Sequence, residues 1–178
     1  MKNFRLQPGH WFSGGILFLL LLFLYRPTVE APRTPLKQNE SQITVTEYRV
    51  VENSENQWLE PIRGNLPRST EPMAGALNLM AQLDRRESPL PPGTRALSVH
   101  VKEQGVAWAD FNRALVANFP GGSAREALLL EAILRTLGQF PGVHSVQITV
   151  EGEVIESIGG HADISEPQPI PPDSASSS

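Results

Sequence analysis

The sequence predicts an α+β domain with a mostly antiparallel sheet and two helices, preceded by one N-terminal membrane anchor. Three observations lead to this prediction. Two segments alternate apolar and polar residues around glycine turns, an amphipathic segment lies between them, and a charge-free apolar run stands near the N-terminus. Alternation with period two indicates strands with one buried face, whereas a 3.6-residue period indicates a helix. The predicted element order is ββ-α-ββ-α-ββ.

The apolar run occupies residues 11–25 (WFSGGILFLLLLFLY) and follows two basic residues. This pattern is typical of a secretory signal or a signal anchor. Residues 29–31 (VEA) have the small-x-small spacing of a cleavage site, but Pro32 disfavours cleavage there. We therefore expect a single-pass anchor in a bacterial cell membrane, with residues 1–10 cytoplasmic and the domain extracytoplasmic. A removed signal peptide is the alternative.

The composition excludes several classes of function. The formal net charge is -4, whereas nucleic-acid-binding domains normally carry a clustered basic surface. The short basic pairs, Arg85 with Arg86 and Arg63 with Arg68, are interpreted as solvated surface, so no nucleic-acid partner is expected. The chain has no cysteine, which excludes disulfides, thiolate metal sites and thiol catalysis.

Linker-like segments flank the folded part. Residues 26–42 hold three prolines and few apolar groups, which predicts an extended tether. Residues 165–178 (SEPQPIPPDSASSS) are rich in proline and serine, which predicts a disordered tail. The folded domain is therefore expected over residues 43–164.

The domain is predicted to begin with two strands and a helix. Residues 43–52 are rich in β-branched side chains, and residues 58–65 return as a second strand. Pro61 in the second strand indicates a sheet edge, because proline cannot donate a ladder hydrogen bond. A helix is predicted over residues 69–86, with a serine or threonine at its start as the cap.

Two hairpins are predicted further along the chain. In the first, residues 97–101 and 106–110 alternate around a glycine turn, and in the second, residues 146–150 and 154–158 alternate around Gly152. The apolar side of the first arm is predicted to consist of Leu97, Val99 and Val101.

Between the hairpins, the stretch NFPGGSAREALLLEAILRTL predicts a helix that begins at a glycine pair. Ser123 followed three residues later by Glu126 has the spacing of a capping box. The predicted apolar stripe consists of Ala127, Leu130, Ile133, Leu134 and Leu137. Gly121 and Gly122 lack the lysine of a phosphate-binding loop, so a helix entry is favoured over a phosphate site.

No sequence motif of a hydrolase or metalloprotease is present. His161 lies near Asp163 and Glu166, and these are residue types that ligate metals. All three lie on one terminal segment, so the sequence favours a structural turn, with Gly159 and Gly160 permitting an unusual backbone. No metal, cofactor or catalytic residue is expected.

Four stretches together resemble a known family, the GerMN domain, also called the sporulation and spore germination domain. They are GVAWADFN (105–112), GGS (121–123), ILRTLGQFPGVHSVQI (133–148) and GGHADISEP (159–167). The resemblance covers residues 43–167 and implies an envelope protein with a fold similar to ring-building modules of secretion systems. It implies no enzymatic activity. The candidate family-motif or interaction positions are Asp110, Asn112, Gly121, Gly122, Ser123, Glu126, Gly159, Gly160 and His161.

The expected function is that of a non-enzymatic scaffold in sporulation or spore germination complexes. Its expected partners are envelope or membrane proteins, or further copies of the chain. The alternative is an envelope protein that binds or hydrolyses cell-wall glycan or a small ligand, with Asp110, Glu126 and His161 as the groups to suspect. A glycosidase needs two carboxyl groups held roughly 5 to 9.5 Å apart in a cleft, and the sequence shows no such pair.

Overall fold

The computed structural model describes residues 42–68 and 70–172. No helix in this part of the chain is both long enough and apolar enough to cross a membrane. The predicted anchor at residues 11–25 lies outside the described residues. The predicted tether also lies outside them, except that Gln42 already belongs to the first strand.

The domain begins with a long hairpin that forms its own two-stranded sheet. Strand β1 (Gln42–Glu52) pairs antiparallel with β2 (Gln57–Pro67) along its whole length. The side chain of Asn53 accepts hydrogen bonds from the next turn amides, including that of Asn56 at 2.7 Å, which fixes the reversal. Within the described chain β2 pairs with β1 and no further strand, which confirms the edge position that Pro61 predicts.

The free edge of β1 is covered by a side chain. The Gln139 amide accepts a hydrogen bond from the Thr46 nitrogen at 2.6 Å and donates one to the Thr46 oxygen at 2.7 Å. It thereby supplies both bonds that a neighbouring strand would supply. Exposed strand edges promote aggregation, so this contact both satisfies the backbone and protects one edge of the hairpin.

Replacing Gln139 by alanine is expected to lower the free energy of unfolding by about 1 kcal/mol, because it removes hydrogen bonds to a partly buried strand. Urea denaturation of the purified protein measures the change. Gln82, whose side chain bonds an exposed helix carbonyl, is the matched control, and its alanine variant should change little. Equal effects of the two variants would contradict a special role for Gln139.

The first helix, α1 (Pro72–Met80), is shorter than the helix predicted over residues 69–86. Its N-cap is Glu71, whose carboxylate accepts from the nitrogens of Met73 and Ala74, and the predicted serine or threonine cap is wrong. Beyond the end of the helix, the Met80 carbonyl accepts hydrogen bonds from the Leu83 nitrogen at 3.3 Å and from the Ser88 hydroxyl at 2.9 Å. Turns follow in place of the last predicted helical turns.

The main sheet consists of β3 (Ala96–Val101), β4 (Val106–Phe111), β5 (Ser145–Val150), β6 (Glu153–Val154) and β7 (Gln168–Pro169). The first three strands are adjacent in that order, and both β6 and β7 pair with β5. The pairing of β4 with β5 is parallel, whereas the other pairings are antiparallel. The sheet is therefore mixed, and the prediction of a mostly antiparallel sheet misses its central pairing.

Two helices lie between β4 and β5, namely α2 (Ala114–Ala117) and α3 (Ser123–Gly138). Parallel neighbours need a long crossover, usually helical, because a tight turn joins only antiparallel strands. The described chain thus has three α-helices where the sequence predicts two. The α+β class is confirmed, and the element order differs by this short extra helix and by β7.

The core lies between the inner face of the main sheet and α1 and α3. Partly exposed and buried side chains alternate along β4, where Ala107, Ala109 and Phe111 are fully buried. The buried face of α3 consists of Glu126, Leu129, Leu130, Ala132, Ile133, Thr136 and Leu137. A register shift between Ala96 and Ser98 turns Leu97 outward, where it is 53% exposed. The predicted inward position of Leu97 is therefore wrong, because a bulge reverses the alternation. Of the other two residues predicted on that side, Val99 is buried but Val101 is 44% exposed.

The C-terminal segment differs from the disordered tail predicted for residues 165–178. Residues 165–172 are described, and Gln168–Pro169 form β7 on the edge of β5. Ile170 then reaches α3, where its side chain packs closely over Gly138. The predicted return strand at 154–158 is only the two-residue strand β6, because the chain turns away to cover β5.

One buried carboxyl group lies between the N-terminal hairpin and α1. Glu47 is 6% exposed, its Oε2 atom has no hydrogen-bond partner among the described residues, and Leu79 lies nearby. Burial raises the pKa of Glu47 above the ordinary value of 4.5, because low polarity disfavours the charged form.

A pH dependence follows from this carboxyl group. A folded-state pKa above the unfolded value means that the stabilising contribution is fully present below pH 4.5 and is lost as the pH rises through the folded pKa. The stability of wild type relative to Glu47→Gln should therefore fall between pH 4 and pH 7, as measured by urea denaturation at both values. The Glu55→Gln variant, at an exposed position, is the control. A stability of wild type relative to Glu47→Gln that rises with pH would contradict a raised pKa of Glu47.

Candidate functional site

The glycine pair at residues 121–122 starts α3 without a side-chain cap. Both glycines have positive φ angles of 90° and 98°, which favour glycine, and the N-cap residue is Gly122. Ser123 is therefore already the first helical residue. The predicted capping box between Ser123 and Glu126 is wrong, because no side chain caps this helix and Glu126 faces the opposite way, into the domain.

Glu126 instead fastens the closing segment of the domain to α3. Its side chain is fully buried, and Oε1 accepts from the nitrogens of Ile158 at 3.1 Å and Gly159 at 2.8 Å. Oε2 accepts from the nitrogen of His161 at 3.0 Å. Three backbone amides thus converge on one carboxyl group, and they supply hydrogen bonds to both of its buried oxygens.

The closing glycines have different reasons to be glycine. A Cβ atom on Gly159 would overlap the ring of Phe119 and lie 3.0 Å from the Glu126 carboxylate, so close packing requires its small size. Gly160 has open space around it but a φ of 86°. The structure therefore brings Glu126, Gly159, Gly160 and His161 together, and it does so through backbone contacts.

Asp110 and Asn112 stabilise two other turns. Asp110 Oδ1 accepts from the Thr149 hydroxyl and from the Gly152 nitrogen, both at 2.8 Å, so it joins β4 to β5 and to the turn after β5. The Asn112 amide accepts from the Arg95 nitrogen and donates to the Gly93 oxygen, both at 2.9 Å. Neither side chain is described in contact with Glu126, and each bonds backbone or a neighbouring strand.

The His161 region forms an open, exposed surface. Asp163 accepts hydrogen bonds from the hydroxyl and the nitrogen of Ser165, and these bonds lower the pKa of Asp163. No group of three or more potential metal ligands is clustered in residues 42–68 and 70–172. The hydrogen bonds made by Asp163 are those of a self-contained turn.

A groove beside the start of α3 is a feature that the sequence analysis did not single out. It has a volume of about 380 Å³, and Arg85 and Arg125 line it. Its apolar walls include Pro89, Leu90, Pro91, Phe119 and Pro120. We call it the arginine groove. In the sequence, the groove corresponds to two segments with basic residues nearby, the proline-rich stretch at residues 89–92 and Phe119–Pro120. The structure brings these two segments to one groove.

A second exposed surface lies on the outer face of the main sheet. The ammonium group of Lys102 lies 3.3 Å from the centre of the Trp108 ring, which is a cation–π contact. Val101 at 44% and Val154 at 46% exposure add apolar area on the same sheet.

A family model described as "Germane: Sporulation and spore germination" matches residues 29–156. Among solved structures, the tandem GerMN domains of the sporulation protein GerM from Bacillus subtilis match with 21% sequence identity and a TM-score of 0.59. That similarity covers 73% of this chain and 46% of the other, so this chain spans about half of the tandem structure.

The first GerMN domain of the same protein, solved by itself, also has 21% identity to this chain, with a TM-score of 0.56. Here the similarity covers 70% of this chain and 97% of the other. At these identities the matched structures demonstrate a common fold. No significant match is found among curated proteins.

Proposed function

Because the chain belongs to the family of sporulation and spore germination (GerMN) domains, we propose that it is a non-enzymatic interaction module of sporulation or germination complexes. It is held at the cell membrane by residues 11–25, with the folded domain outside the membrane. The domain acts by binding other envelope proteins or further copies of itself.

The observation that carries this proposal is that the polar side chains at three family-motif positions make hydrogen bonds within the domain. The carboxylates of Glu126 and Asp110 and the amide of Asn112 accept hydrogen bonds from backbone groups or from a strand neighbour. Groups held in this way fix the shape of a surface. A catalytic pair would instead direct two ionisable groups at one position in a cleft.

The same contacts argue against the glycan-hydrolase alternative. A general acid or base must come within hydrogen-bond reach of the substrate. Glu126 has no exposed surface, and both of its oxygens accept backbone amides. An Asp110–Glu126 pair therefore offers a sugar chain at most one accessible carboxylate, which supports a binding role over a hydrolytic one.

Chemical crosslinking in intact cells tests the proposal. The full-length protein, carrying a C-terminal affinity tag and produced at its native level, is crosslinked, purified and analysed by mass spectrometry. A defined set of envelope proteins, or a ladder of copies of the chain, is expected. Recovery of the same proteins with an unrelated membrane-anchored protein that carries the same tag would contradict the proposal.

Membrane topology is tested separately. After cell fractionation the protein should remain with the membrane, and added protease should digest the domain in protoplasts without lysis. A domain that protease reaches only after lysis would place it on the cytoplasmic side. Release of the protein into the medium would instead indicate a removed signal peptide.

A further inference from the structure

The arginine groove combines apolar walls with two arginine side chains. Pro89 and Pro91 are buried on one side of it, and Phe119 and Pro120 lie on the other. Arg85 and Arg125 line the groove, and both residues are exposed. No acidic residue is among those that line it.

The basic residues of this region are available to an external ligand. Among the described residues, the ion pairs formed by arginines involve Arg49 and Arg135 and none of the arginines around the groove. A smaller hollow next to it is lined by Arg125 and Arg86 and also by Glu52, whose carboxylate accepts a hydrogen bond from the Gln57 amide. Three guanidinium groups are thus gathered along one continuous strip, on a chain whose net charge is -4.

The groove is held in shape by hydrogen bonds on both walls. The Ser88 hydroxyl donates to the Met80 carbonyl at 2.9 Å and accepts a hydrogen bond from the Leu90 nitrogen at 3.2 Å. On the opposite wall the Asn118 amide donates to the Pro92 oxygen at 2.8 Å, which ties the two walls together. Because prolines have little conformational freedom to lose, ordering this surface around a ligand would cost little entropy.

We propose that the arginine groove binds an extended acidic segment of a partner protein. The charge complementarity favours carboxylates, since guanidinium groups match their geometry bidentately. The apolar walls favour an occupant with proline or aliphatic side chains between its acidic residues. A strip that continues into a second hollow favours an extended chain over a compact anion. This inference rests on the proposed interaction role and names the partner chemistry at one surface.

A binding experiment tests the proposal directly. The probe is a fluorescein-labelled ten-residue peptide of alternating glutamate and proline, titrated by fluorescence anisotropy with the full-length protein in detergent micelles. The same peptide with glutamine in place of glutamate is the uncharged control. Saturable binding of the acidic peptide is expected, at least tenfold tighter than that of the control and weaker at high salt.

Two double variants separate the groove from the general surface. Arg85→Ala with Arg125→Ala should weaken binding of the acidic peptide at least tenfold, as expected for loss of charge-assisted bonds. Arg63→Ala with Arg68→Ala removes two exposed arginines that do not line the groove and should leave binding within twofold of wild type. Far-ultraviolet circular dichroism and thermal melting confirm that both variants are folded.

Several outcomes would overturn the inference. They are equal weakening by the two double variants, absence of saturable binding, or equal affinity for the acidic and uncharged peptides. Full competition by inorganic phosphate at the same charge concentration would assign the groove to a small anion. Self-association of the protein that the Arg85/Arg125 variant abolishes would assign it to a second copy of this chain.

The failure of this inference is distinguishable from failure of the proposed function. If in-cell crosslinking recovers the same envelope proteins with wild type and with the Arg85/Arg125 variant, the interaction role stands and the groove is not its site. If one envelope protein is crosslinked to wild type but not to the Arg85/Arg125 variant, the proposed function and the inference about the groove are both supported.

Discussion

Replacing Glu126 by alanine is expected to lower the free energy of unfolding by about 3 kcal/mol, because three backbone amides lose their acceptor. The nitrogens of Ile158 and Gly159 belong to the closing segment, residues 158–161, where a buried donor without a partner is costly. The variant should also loosen this segment. Urea denaturation measures the stability, and amide hydrogen exchange at residues 158–161 measures the local opening.

Two further variants sharpen the Glu126 test. Glu126→Gln should be intermediate, because its remaining oxygen serves two amides while its NH₂ group opposes the nitrogen of His161. Glu131→Gln on the same helix is the control, since Glu131 makes a partly exposed ion pair with Arg135, and such pairs contribute little. If the free energy of unfolding of Glu126→Ala lies within about 0.5 kcal/mol of that of wild type, Glu126 does not hold the closing segment on α3.

The second large effect is expected for Gly105→Ala, which should lower the free energy of unfolding by about 3 kcal/mol. Gly105 has a φ of 75°, which alanine adopts only with strain. An added Cβ would also overlap the Gly142 carbonyl oxygen and come within 2.6 Å of the His144 ring. This crowding adds to the backbone strain, at the point where the Gly105 oxygen accepts a hydrogen bond from the His144 nitrogen at 2.9 Å.

Gly152→Ala is the matched control for Gly105→Ala. Gly152 has a similar φ of 86°, but its added Cβ would meet no atom within 4 Å. Its cost should therefore be that of the backbone alone, about 1 kcal/mol. Denaturation of the two variants side by side separates strain from crowding. Equal losses would show that close packing of the β3–β4 turn against residues 142–144 does not contribute.

Local patterns predicted the elements of this fold better than their pairing. Alternation located β3, β4 and β5, and the 3.6-residue period located α3, because both signals depend on neighbours in sequence. The parallel pairing of β4 with β5 depends on where a long connection returns. The intervening helix was the available signal, since a crossover of that length joins parallel strands.

The burial of Glu126, but not its set of partners, could have been predicted from the helical periodicity of α3. Glu126 precedes Leu129 and Leu130 by three and four residues, which places it on the buried stripe of α3. Its spacing from Ser123 suggested a cap, and that local interpretation was wrong. Its actual partners lie more than thirty residues away in sequence, and no local pattern predicts such a contact.

The arginine groove could not be predicted from composition. Arg85 and Arg86 appeared as isolated basic residues on an acidic chain, and Arg125 lies about forty residues further along. Only the fold brings the 85–92 segment against the start of α3. The bulge that turns Leu97 outward was also not predictable from the alternation of residues. One extra residue in a strand changes which side chains face outward.

Site-specific photo-crosslinking in living cells tests most directly whether this domain acts by contacting another protein. A photoreactive amino acid is placed singly at Pro120 in the arginine groove, at Leu97 on the β3 edge and at Trp58 on the N-terminal hairpin, in the full-length protein. The account predicts a discrete adduct with an envelope protein or a second copy from at least one position, strongest at Pro120. Absence of a protein adduct from all three positions, with folded protein present at normal levels, would contradict it.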